Sequence, residues 1–124
     1  IKKKIPISSI ILPFLYAFSG FACIFLSSEI YSASFNVISV FNPEMNIVKI
    51  GFFHIIYAVL MRCIYIKSND FYISFLPIFA IYELGTFIFD LYVFSQFQID
   101  HLLYTAVFHF GLFILLMYER RIFG

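Results

Sequence analysis

Four apolar runs follow one another along this chain, at roughly 5–28, 44–66, 71–97 and 101–122. Each is about 20 residues or longer, the length a helix needs to cross the hydrocarbon of a bilayer. A chain of 124 residues has no core large enough to hide four such runs from water. The sequence therefore predicts an all-α integral membrane protein, a four-transmembrane-helix bundle forming a single transmembrane domain over 1–124. Composition points the same way, because 63% of the residues are hydrophobic and 12% charged, about half the charge of an ordinary soluble domain. The formal net charge of +1 leaves no basic face for nucleic acid. The expected partners are the lipid bilayer and other membrane subunits or further copies of the chain. Phe (19) and Tyr (9) are plentiful while Gly (5), Pro (4) and Trp (0) are scarce, a bias of AT-rich codons. A bacterial inner membrane, or an organellar inner membrane served by an AT-rich genome, is the expected location.

Local signals mark the ends of the spans. Lys2, Lys3 and Lys4 precede the first, which is longer than a usual signal-peptide core and is read as a retained helix. Within it Pro13, Tyr16, Gly20, Cys23 and Ser27 recur at alternating intervals of three and four, giving one small or polar stripe suited to close helix contact. Residues 29–42, "EIYSASFNVISVFN", place Tyr31, Phe35, Ile38 and Phe41 on one side of a short interfacial helix. Asn42-Pro43-Glu44 reads as a cap, a first helical proline and a first-turn acid opening the second span. Asp70 and Asp100 are expected to cap the third and fourth. Cys23 and Cys63 should lie near opposite ends of their helices, too far apart for a disulfide.

Orientation follows from the basic residues. Lys2, Lys3, Lys4, Arg62, Lys67, Arg120 and Arg121 fall on one side of a four-span arrangement and Lys49 alone on the other. The positive-inside rule then puts both termini on the cytoplasmic or matrix side. Arg62 and Arg120, at helix ends, can snorkel to the interface without a buried partner.

The third span holds two carboxylates in "AIYELGTFIFDLYVF", Glu83 and Asp90. Seven residues apart, they lie about 20° from one another around the helix, with Thr86 between. A charge facing lipid costs several kcal/mol, on the order of 3 by insertion scales, so this face should turn inward or towards a partner. Counting about 1.5 Å per residue from the outer boundary puts His54, Asp90 and His109 in one layer, with Glu83 about 10 Å deeper. Tyr57, Tyr104 and Thr105 are further candidate members of this buried polar layer or ion path. Asp90 is expected to pair with a histidine and Glu83 to be neutral at rest. His101, beside Asp100, reads as interfacial.

Two families resemble parts of the chain. Small multidrug resistance transporters are similar in size and span number, but their essential acid lies in the first span, where this chain has none. "GTFIFDLYV", 85–93, resembles a Gly-spaced Asp-Tyr segment in the small anchor subunits of succinate dehydrogenase, which would place Asp90 and Tyr92 beside a quinone; the haem histidine expected before it is missing. No site residue is carried over from either family. The function expected from the residues themselves is a structural or accessory subunit of a larger membrane complex, respiratory among the options, or a homo-oligomer, with no catalytic activity and no cofactor of its own. The alternative is a small proton-coupled transporter or channel using Glu83 and Asp90. A further alternative is a bis-histidine haem b subunit, with His54 and His109 as axial ligands and Gly51 and Ala106 one turn before them. Catalytic motifs such as HExxH and GxSxG are absent from the sequence.

Overall fold

A computed structural model describes residues 5–26, 43–97 and 100–123. These form four helices: α1 (Ser8–Phe25), α2 (Pro43–Lys67), α3 (Asn69–Phe97) and α4 (Asp100–Phe123). All four are long and apolar enough to cross a membrane, which is compatible with a multi-pass membrane protein. The pattern of exposure supports a lipid environment. Phe14, Phe18 and Phe25 on α1, Phe52 and Phe53 on α2, Ile81 and Phe89 on α3, and Val107 and Ile114 on α4 all have exposed side chains. In water so much apolar surface would drive aggregation; in hydrocarbon it costs nothing, and only the backbone must be satisfied internally, as a helix does.

The chain divides into two compact units that meet in sequence near Ser68. One contains the α1/α2 hairpin and the other the α3/α4 hairpin. In the first, α1 and α2 run antiparallel: Arg62 contacts Ser9, Tyr16 meets His54 and Tyr57, and Ser19 meets His54. Leu12, Tyr16, Ala58 and Met61 are buried. The two helices come into close contact at two glycines. A β-carbon on Gly20 would stand 2.7 Å from the Gly51 carbonyl oxygen and 2.6 Å from Ile55 Cγ1, and one on Gly51 would stand 2.7 Å from the Gly20 carbonyl oxygen. No larger residue fits either position without separating the helices. Of the small stripe expected on the first span, Pro13, Tyr16 and Gly20 are buried and Cys23 is half-buried, whereas Ser27 lies outside the described residues.

In the second unit Phe87 of α3 packs on Phe110 of α4 with ring centroids 4.9 Å apart. Tyr72, Leu76, Phe79 and Ala80 of α3, and Leu102, Ala106 and Leu116 of α4, are buried.

Helix ends refine the sequence expectations. The cap of α3 is Ser68, whose Oγ accepts the Phe71 amide at 2.8 Å. Asp70 instead occupies the first turn, exposed, where its charge complements the helix dipole. Asp100 is likewise within the first turn of α4, and Arg120 and Arg121 fall in its last. Pro43 opens α2, as its preset φ favours. The Asn42 cap and the interfacial helix at 29–42 lie outside the described residues, as does the side chain of His101. Arg62 differs from a simple snorkelling residue. Its Nη1 donates to the Ser9 carbonyl at 3.0 Å, and its guanidinium lies 5.1 Å from the Tyr65 ring centroid.

Candidate functional site

Mid-helix in α3, Glu83 is completely buried, and Asp90, two turns along the same face, is 8% exposed. The helical repeat alone puts both on one side, and the large apolar residues Ile78, Ile81, Ile88 and Phe89 take the opposite, exposed side. Glu83 Oε2 lies 2.5 Å from Nδ1 of His109 on α4. One hydrogen bridges this contact: an imidazole or imidazolium N–H donates to a carboxylate, or a carboxyl O–H donates to a neutral imidazole. The partner gives the buried carboxyl a hydrogen bond, without which its burial in a low-dielectric interior would cost far more.

The depth count placed His109 level with Asp90, yet in the hairpin it meets Glu83. The count treats side chains as points on the helix axis. A glutamate and an imidazole each reach several ångströms from the backbone, so their Cα atoms need not be level for the heads to touch. The three carboxylates near this hairpin's ends differ: Asp70 and Asp100 are exposed, and Glu119 is buried at 2% exposure. Sequence reasoning passed over Glu119 because it abuts Arg120 and Arg121 and resembles an ordinary solvated helix end.

The remaining expected members of the layer are distributed as follows. Thr86 Oγ1 donates to its own helix at Tyr82 O (3.0 Å), and Thr105 Oγ1 to Leu102 O (3.0 Å). Such back-bonding spends the hydroxyl proton within the helix. Tyr104 is 75% exposed.

His54 and Tyr57 belong to the other unit, where a second polar cluster forms. His54 Nδ1 lies 2.9 Å from Ser19 Oγ of α1, and its ring meets Tyr16 edge-on at 5.2 Å. Tyr16 also packs edge-on against Tyr57 at 4.7 Å. Ser19 was not singled out in the sequence, although it lies three residues after Tyr16 and four before Cys23, on the same side of α1. The two histidines proposed as axial haem ligands thus sit in different units, each with its Nδ1 against a side chain of its own hairpin. Among the described residues, no group of three or more His, Cys, Asp and Glu side chains gathers to hold a metal ion, and both cysteines are free thiols.

Compared with family models, with curated proteins and with solved structures, the chain finds no match in any of the three.

Proposed function

We propose that this chain is a structural or accessory subunit of a larger membrane complex, or a homo-oligomer, without chemistry of its own. The observation that carries this reading is the Glu83–His109 pair: the most deeply buried acid of α3 is spent on a side chain of the neighbouring helix. His54 and Ser19 do the same for α1 and α2. Polar groups in both units therefore act as fasteners that set helix register, a common use of buried hydrogen bonds in membranes. In this reading both termini lie on the cytoplasmic or matrix side, and a respiratory complex of an inner membrane is one setting for such a subunit.

A second reading is favoured by one specific feature. An acid–imidazole pair exchanges protons readily, and Asp90 offers a second buried acid on the same face of α3. A proton-coupled transporter or channel would use Glu83 and Asp90 in turn. The two readings part at Glu83→Gln, assayed in proteoliposomes with a proton-sensitive dye. Glutamine keeps a hydrogen-bonding head but cannot exchange a proton. A fastener tolerates the change, and wild-type and variant vesicles show the same low flux. A transporter shows wild-type flux that the variant abolishes.

A further inference from the structure

The hydrogen bond from Arg62 to Ser9 has an origin in the sequence of α1. In a regular helix the Ser9 carbonyl would accept the amide of residue 13, which is Pro13 and has no N–H. The oxygen that Pro13 leaves open is the one Arg62 reaches from α2, at 3.0 Å. Its surroundings make that donor hard to replace. Ser8 and Ser9 are fully buried, so water has poor access. The Tyr65 ring, one turn along α2, holds the guanidinium in place by a cation–π contact.

Ile7 supplies no side-chain cap, and its carbonyl accepts both the Ile10 and the Ile11 amides. We infer that Pro13 and Arg62 form a hinge and its latch: Pro13 uncouples the first turn of α1 from the rest of the helix, and Arg62 locks that turn to α2. The latch joins two helices and closes a gap in one, so its loss frees the first turn without melting the hairpin held at Gly20 and Gly51.

Hydrogen exchange read by mass spectrometry on the full chain in lipid nanodiscs tests this directly. With Arg62→Gln, exchange of the amides at 8–12 rises on the order of tenfold, the scale of a lost hydrogen bond to a charged donor, while 55–58 in mid-α2 stays as protected as before. Pro13→Ala restores the missing amide within α1, so adding Arg62→Gln to that variant leaves 8–12 unchanged. Should Arg62→Gln raise exchange everywhere, Arg62→Lys with and without Pro13→Ala makes the same comparison while keeping the charge. The inference is overturned if removing the guanidinium leaves 8–12 as protected as in the wild type. It is equally overturned if the rise is the same size with Pro13→Ala as without it.

Discussion

His109 on α4 meets Glu83 of α3 at 2.5 Å between Nδ1 and Oε2, joining the acidic face of α3 to the neighbouring helix. Under the proposed reading, an acid held by the adjacent helix helps keep that helix in register.

The first prediction concerns that pair. Glu83→Ala and His109→Ala should each destabilise the α3/α4 hairpin by about 1–2 kcal/mol, the upper range measured for side-chain hydrogen bonds in membranes. The double variant should lose little more than the worse single one, because each change removes the same interaction. Reversible unfolding in mixed detergent micelles, followed by circular dichroism, gives the four free energies of the cycle.

A second prediction separates two kinds of glycine. Gly20 and Gly51 touch across α1 and α2, so Gly20→Ala or Gly51→Ala should cost about 1–3 kcal/mol, the usual price of overpacking a close contact. Gly85 and Gly111 face open space, with nothing within 4 Å of an added β-carbon. Gly85→Ala and Gly111→Ala should be neutral or stabilising by up to about 1 kcal/mol through helix propensity. The same unfolding assay checks both, and equal losses at all four positions would show that the hairpin crossing is misplaced.

The fastening of α1 to α2 gives a third. Ser19→Ala should lower stability by about 0.6 kcal/mol, a typical interhelical hydrogen bond in a membrane protein, and His54→Ala by more, because it also removes the ring that packs on Tyr16. A cycle between Ser19→Ala and His54→Ala should be non-additive by about 0.6 kcal/mol, because both changes remove the same hydrogen bond. Strict additivity between these two would contradict the contact.

Orientation supplies a fourth. Seven of the eight Lys and Arg residues lie on the proposed inner side. A single cysteine at Ser68, in a chain with Cys23→Ala and Cys63→Ala, should react with a membrane-impermeant maleimide only in inside-out vesicles. Labelling in right-side-out vesicles would reverse the topology.

Much of this architecture is legible in the order of residues, and the division is physical. Four long apolar runs can satisfy their backbones in hydrocarbon only as helices, so element type and number follow from length and composition alone. The face shared by Glu83 and Asp90 follows from the helical repeat. Partners across helices do not, because interhelical register depends on packing that a single helix does not encode. His109 therefore appeared level with Asp90 and was found on Glu83. Gly51 drew notice for its spacing to a histidine, whereas its role is to let α1 and α2 approach at Gly20. Ser68, one residue of a short polar turn, caps α3 in place of the more acidic Asp70 because its hydroxyl stands at the geometry the Phe71 amide requires. Arg62 seemed to need no partner, since nothing in α2 reveals that Pro13 has freed a carbonyl on α1.

The central claim, that this chain is built to assemble and not to act alone, is tested most directly by native mass spectrometry of the protein extracted gently from its own membrane, alongside Glu83→Gln expressed at the same level. The account predicts a mass containing defined membrane partners or several copies of the chain, retained when Glu83 is replaced by glutamine. A wild-type protein that leaves the membrane as a single chain, with no companion and no second copy, would contradict it.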